Sequence, residues 1–214
     1  MFELILVLFL SYLLGSLPTA IIVGKMTRKI DIRDHGSGNA GATNVLRVLG
    51  WRSALVVMLV DMLKGFVAVQ WLILIIPAHP DMNTMALYQI LAGSAAIIGH
   101  IWTVFAGFRG GKGVGTAAGV FLGLQPLPVF ICLLVFIGIV SRTRFVSLGS
   151  ITAAFLLPII LIVENFGLGK TVPLPHIIVA VLLGILIIVT HRENISRLVK
   201  GEENKISFKK TEDA

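Results

Sequence analysis

Hydrophobic positions in this chain are gathered into long runs separated by short polar loops. Crossing about 30 Å of hydrocarbon takes about 20 helical residues, or somewhat fewer in a broken or buried segment. Seven runs fit, over about 2–24, 53–76, 85–105, 113–125, 127–141, 145–163 and 174–190. The fourth and fifth are short and meet at Gln125-Pro126-Leu127-Pro128, whose prolines cannot continue a helix, so a tight hairpin is expected there. The first run sits where a signal peptide would, but it lacks a basic leading region and stays apolar almost to Lys25, so it reads as an anchor. No internal repeat is visible, and the length suits one domain. The expectation is an all-α integral membrane protein: a seven-helix domain over 1–200, then a polar tail over 201–214 of mixed charge, expected to be mobile.

Composition agrees with spans and excludes a soluble domain, with 56% hydrophobic residues, 14% charged residues and a mean hydropathy of +0.94. A net charge of +7 would suggest nucleic acid in a soluble chain, but here the basic residues act first as topology signals. Six of the 18 lie in 25–52, two in 106–112, two in 142–144 and six from 191 onward. The opposite loops hold only Lys170, and Lys64 lies inside a run. With seven spans this asymmetry puts the N-terminus outside and the C-terminus in the cytoplasm, and no nucleic-acid partner is expected. Cys132, the single cysteine, lies in an apolar run, so neither a disulfide nor a zinc site is expected.

All the polar runs then fall on one face. "GSGNAGATNVLR" (36–47) lies in the first inner loop, "FRGGKGVGT" (108–116) in the second, "RTRFVSLGS" (142–150) at the third, and "HRENISRL" (191–198) just after the last span. Glycines let backbone amides approach an anion, a helix N-terminus adds a favourable dipole, and Arg47, Lys112 and Arg192 add charge. Carboxylates are scarce in these runs, so the site suits anions, phosphate above all, rather than metals. Each glycine run alone is equally consistent with helix packing, and basic span ends with topology or lipid contact. "GGKG" is not a Walker A loop, since Ala106 stands where its first glycine belongs and Gly113 where Ser or Thr should follow the lysine.

Among the histidines, His79 and His176 belong to the outer margins, His35 precedes the first glycine run, and His100 lies near the inner end of the third span. His191, beside Arg192 and Asn194, could exchange a proton near neutral pH or be a satisfied interfacial residue. No histidine is followed five residues on by aspartate, which argues against the chemistry of soluble glycerolipid acyltransferases. Asp61 and Lys64 share a helix face about 13 Å into the second span, as a structural ion pair or as support beneath the loops.

Four blocks, Ser37-Gly38-Asn39-Ala40-Gly41-Ala42-Thr43-Asn44-Val45-Leu46-Arg47, Gly110-Gly111-Lys112-Gly113-Val114, Phe145 to Ile151 and His191 to Leu198, resemble those of the bacterial acyl-phosphate:glycerol-3-phosphate acyltransferases. The likeness runs in order over nearly the whole chain. It departs at Arg109, where the family usually has Lys, at Thr103, where Pro is common, and at Gly115, where Ala is usual. The resemblance implies seven helices in the bacterial inner membrane, a site facing the cytoplasm, and acyl transfer from acyl-phosphate to the 1-hydroxyl of glycerol-3-phosphate. The products would be lysophosphatidic acid and phosphate, the first step of phospholipid synthesis. Partners would be the two substrates and membrane lipid, the unit a monomer, and no cofactor or metal is implied.

Acyl-phosphate is an activated anhydride, so positioning and charge stabilisation can carry much of the reaction, with a substrate phosphate accepting the hydroxyl proton. Under this reading Gly38, Asn39, Gly41, Thr43 and Asn44 hold a phosphate or oxyanion, and Ser37 orients a substrate. Arg47, Lys112 and Arg192 neutralise charge beside Gly110, Gly111 and Gly113. By resemblance Ser147, His191 and Asn194 complete the pocket. An acyl-Ser37 intermediate would need His35 as its base. The competing class is a transporter of a phosphorylated solute, which also uses glycine-broken helices near cations. Polar blocks at one face, and seven spans that do not halve into repeats, speak against it.

Overall fold

The computed structural model describes residues 1–76 and 81–206, so His79 and the last eight residues of the anticipated tail lie outside it. Among the described residues every apolar run is helical and no strand occurs. The first run divides at Pro18 into α1 (Phe2–Gly15) and α2 (Thr19–Arg28), because proline has no amide hydrogen and its ring clashes with the preceding turn. At this break the Leu17 carbonyl accepts from the Thr19 amide at 2.9 Å and from the Lys64 ammonium at 2.6 Å. A lysine inside the second run thus satisfies backbone that a broken helix exposes.

A short helix, α3 (Ala42–Leu49), leads through Gly50 at φ 89° into α4 (Trp51–Gln70). The carboxylate of Asp81 caps α5 (Met82–Ile101), accepting from the Asn83 and Thr84 amides at 3.0 and 3.2 Å. One residue, Gln125, separates α6 (Val114–Leu124) from α7 (Pro126–Thr143). The break falls at the expected place, but Pro126 and Pro128 lie in the first turn of α7 rather than in a turn between the helices. Pro126 opens the second helix at a position where a missing amide hydrogen is tolerated. α8 (Val146–Ile162) and α9 (Leu174–Thr190) follow, and α10 (Arg192–Lys200) turns 59° away from α9 at His191.

Among the described residues five segments are long and apolar enough to cross a membrane: Phe2–Arg28, Trp51–Ile75, Met82–Ala106, Pro126–Thr143 and Val146–Gly167. The bent pair α9 and α10 would make a sixth. The fourth expected span is the short one, since α6 has 11 residues and is about 16 Å long. It survives as a helix because it is wedged among others. Gly65 of α4 and Gly119 of α6 bring those two backbones together: a methyl on Gly119 would fall on the Met62 carbonyl, and one on Gly65 on the Thr116 carbonyl. Such close approach between helices is how small residues bind them where lipid gives no hydrophobic drive. Val120 and Phe121 of α6 are fully buried with Val69, Ile90 and Ile97, while Leu59, Phe130, Phe155 and Leu182 remain exposed on the outside.

The ends of α6 mark two faces. At its C-terminal end Gln125 meets His176 of α9 at 3.3 Å, making that histidine part of the packing. At its N-terminal end Lys112 meets Asn194, just past the other end of α9. All four polar blocks gather at this second face.

Candidate active site

Asn44 builds the first loop. It is 1% exposed; its Oδ1 accepts from the Ser37 amide at 2.8 Å, and its Nδ2 donates to the Ile32 and His35 carbonyls, both at 2.9 Å. Its side chain is occupied in folding Gly36 to Asn44 back on itself, with Gly36 and Gly38 at φ 61° and 72°. A side chain at Gly36 would also strike Asn44 Oδ1. Asn44 therefore holds the loop, with both hydrogens of its side-chain amide engaged. Gly41 precedes α3, whose first amides no side chain caps. Asn39 and Thr43 flank that helix start and are half-buried, while Ser37 and His35 are exposed. No hydrogen bond joins the side chains of Ser37 and His35 among the described residues.

Arg33 ties this loop to the second. It bonds Asp31 through both carboxylate oxygens, at 2.7 to 3.2 Å, and donates to the Ala106 carbonyl at 2.9 Å. The guanidinium lowers the Asp31 carboxyl to about 2. In the second loop Gly110 donates its amide to the Ile101 carbonyl at 3.0 Å and Gly111 to that of His100 at 3.1 Å. Both amides are thus engaged with the end of α5, contrary to the expectation that these two glycines present them to an anion. Gly113, at φ 84°, immediately precedes α6, whose first amides also lack a side-chain cap. Thr103, where the resembled family often has Pro, donates its hydroxyl to the buried Ser16 carbonyl, locking α5 to the α1–α2 break.

Lys112 is the centre of charge. Its ammonium donates to Asn194 Oδ1, and its carbonyl accepts from the Thr190 hydroxyl at 3.3 Å. Burial, with Arg197 nearby, brings its pKa down to about 8, although the Glu203 carboxylate opposes the shift. Asn194 works at both ends, for its Nδ2 donates to Glu203 Oε1 at 2.7 Å. Ser147 donates to the same oxygen at 3.0 Å and Arg197 to Oε2 at 2.8 Å. Burial would raise the Glu203 carboxyl, but the three donors hold it below its ordinary value. His191 is 4% exposed, and burial beside Lys112 pushes it down to about 4, so it is neutral at pH 7. Its Nδ1 lies 2.8 Å from the Ile187 carbonyl, which can only accept. The proton therefore sits on Nδ1, and Nε2 is an acceptor.

The segment after α10 closes this cluster as a strap. Residues 201–206 return across the face: Glu203 is buried, the Asn204 carbonyl accepts from Arg47 Nη2 at 3.0 Å, and the Ile206 amide donates to the Arg144 carbonyl at 3.0 Å. The tail anticipated as mobile from Gly201 is packed through Ile206. Burial lowers the pKa of Arg47, and its Nε is buried without a hydrogen-bond partner among the described residues.

The structure thus brings together Arg47, Lys112, Ser147, His191 and Asn194, with the first loop held beside them by Arg33. It leaves Arg192 out: that side chain is exposed on α10, with no hydrogen bond or ion pair among the described residues. Sequence reading missed Glu203 and Arg197, whose signal was weak. A glutamate among lysines and glutamates after a helix-ending glycine looks solvated. Among the described residues no three His, Cys, Asp or Glu side chains converge as a metal site.

A family model described as glycerol-3-phosphate acyltransferase matches residues 5–201. Curated glycerol-3-phosphate acyltransferases are similar over the whole length: that of Chlorobium chlorochromatii is 44% identical over 98% of this chain and 100% of its own. That of Chlorobaculum tepidum is 44% identical over 94% and 96% respectively. Two crystal structures share the fold, both of PlsY (YgiH), described as an integral membrane glycerol 3-phosphate acyltransferase. The glycerol 3-phosphate form has a TM-score of 0.84 at 36% identity, covering 95% of this chain and 96% of that one. The lysophosphatidic acid form has a TM-score of 0.82 at 35% identity, covering 96% of each. On sequence, length and fold together, this chain belongs to the glycerol-3-phosphate acyltransferase family of integral membrane proteins.

Proposed function

We propose that this protein transfers a fatty acyl group from acyl-phosphate to the 1-hydroxyl of glycerol-3-phosphate, giving lysophosphatidic acid and inorganic phosphate. The observation that carries this reading is the convergence of Lys112, Arg47 and neutral His191 at one membrane face, beside the uncapped helix start that follows Gly41. Both substrates carry phosphate, and one carries a chain that must lie in lipid. Lys112 and Arg47 neutralise phosphate, while Gly38, Asn39, Gly41 and Thr43 line the anion from the first loop and Gly113 from the start of α6. Asn194 aims Lys112, and Ser147 holds Asn194 through Glu203.

In the reaction the 1-hydroxyl oxygen adds to the acyl carbon, the acyl carbon–phosphate oxygen bond breaks, and inorganic phosphate departs. A substrate phosphate oxygen accepts the hydroxyl proton, since His191 is too weak a base to keep it at neutral pH. His191 Nε2 accepts a hydrogen bond from the 2-hydroxyl of glycerol-3-phosphate and so orients the neighbouring 1-hydroxyl, whose one proton goes to the phosphate. Ser37 orients a substrate and forms no acyl intermediate.

The same reading places the chain in the bacterial inner membrane with seven crossings, the site facing the cytoplasm and the N-terminus outside. Supporting it, the contacts of α6 at both its ends suit a short helix buried in a bundle that passes from the site face to the level of His176. The basic residues sit overwhelmingly at the site face. The same reading makes the catalytic unit a monomer. The donor is the finest point and is tested directly. The detergent-purified protein with labelled glycerol-3-phosphate should form lysophosphatidic acid from palmitoyl phosphate and not from palmitoyl-CoA. Equal use of the thioester would overturn the donor assignment.

A further inference from the structure

We infer that His100, backed by Asp61, is a positioning residue: its imidazole sets the path of Gly110 and Gly111 and so the aim of Lys112. This rests on the proposed role of Lys112 as a phosphate partner. The two glycines need another explanation once their amides are found bonded to the carbonyls of Ile101 and His100. A methyl on Gly111 would land on His100 Nε2, with Cε1 and Cδ2 only 3.0 and 3.1 Å away. Gly111 is bare because the ring lies across it.

The ring is fixed from behind. His100 is 8% exposed, and its Nδ1 faces Asp61 Oδ1 at 3.7 Å. Asp61 in turn accepts from Lys64 at 2.7 Å, and Lys64 is anchored on the Leu17 carbonyl. The buried ion pair of α4 therefore ties the α1–α2 break to the end of α5. Beside the ring lies a cavity of about 10 Å³ bounded by Thr19, Ala40, Asp61, Thr103 and the two glycines. That is room for about one water. The ring between Asp61 and Gly111, and the loop amides bonded to the end of α5, together set the direction in which Lys112 leaves the loop.

Gly110 supplies an internal control, because a methyl there would strike the backbone carbonyl of His100, which His100→Ala retains. The test measures kcat and KM for glycerol-3-phosphate, together with melting in detergent, on the full chain carrying His100→Ala, Gly111→Ala, Gly110→Ala and the two doubles with His100→Ala. His100→Ala should raise KM about tenfold and leave kcat within about twofold, as expected when a binding group is misaimed. Gly111→Ala should cost at least about tenfold in kcat/KM on the native background and almost nothing on the His100→Ala background, while Gly110→Ala stays defective on both. If Gly111→Ala cannot be obtained folded, recovery of folded protein in its double with His100→Ala supports the inference, and failure of that double to fold overturns it. Costs that add between His100 and Gly111, or a harmless Gly111→Ala, also overturn it. Wild-type protein that turns over nothing would sink the proposed function instead, and the melting comparison would still report whether ring and loop collide.

Discussion

Replacing Glu203 by Ala should loosen the site from its closing edge. The carboxylate accepts from Ser147 at 3.0 Å, Asn194 at 2.7 Å and Arg197 at 2.8 Å. Ser147 and Asn194 are buried, so each loses a bond to a charged acceptor worth about 1.5–3 kcal/mol, part of which entering water returns. Arg197 is 30% exposed, and solvent screening reduces its share to about 0.5–1 kcal/mol. Together they amount to about 4 kcal/mol, or a fall in melting temperature of about 10 °C for a chain of this length. Melting is read in detergent by tryptophan fluorescence. Trypsin provides a local readout, since release of the strap should speed cleavage after Lys205. Glu203→Gln keeps the shape, loses the charge and should fall between. The sign of the pH effect follows: the Glu203 carboxyl titrates below its ordinary 4.5 when folded, so its stabilisation is present above that value and lost as pH falls through the lower folded value. Wild type should lose this increment on acidification, and Glu203→Gln should not. Unchanged melting and unchanged cleavage in Glu203→Ala would refute the strap as a structural part of the site.

Lys112 titrates at about 8, so KM for glycerol-3-phosphate should rise as pH passes upward through that value and the ammonium loses its proton; Lys112→Arg, charged throughout, should remove this limb. Asn44→Ala strands the Ser37 amide and two carbonyls, and should cost about 2–4 kcal/mol in detergent melting, with activity falling as the first loop loosens. Gly119→Ala drives a methyl into the Met62 carbonyl, and melting should report about 1–3 kcal/mol lost, with no change in the pH profile of the folded fraction.

Spans were legible because membrane burial demands long apolar runs, and the four polar blocks were legible because small polar residues have little reason to interrupt such runs. Their meeting at one face followed from the basic residues. What escaped was the use each residue makes of its atoms. Gly110 and Gly111 look like an anion cradle, yet their amides are engaged with α5; Asn44 looks like a ligand, yet it is the clamp of its own loop. Both errors share a cause, since residue type states what a group can bind and not what has already bound it. Glu203 escaped because its three donors come from two helices, at 147, 194 and 197, and no local pattern announces such a meeting. Of the two runs expected to be short, α6 is so at 11 residues, whereas α7 reaches 18 because both prolines and the polar residues up to Thr143 join its helix.

The most direct test of the central claim is phosphate release by the detergent-purified protein given palmitoyl phosphate and glycerol-3-phosphate, each alone and together, with Arg47→Ala in parallel. Release that requires both substrates and collapses in Arg47→Ala is the predicted result. Release indifferent to glycerol-3-phosphate, or none from folded wild-type protein, would contradict acyl transfer at this face.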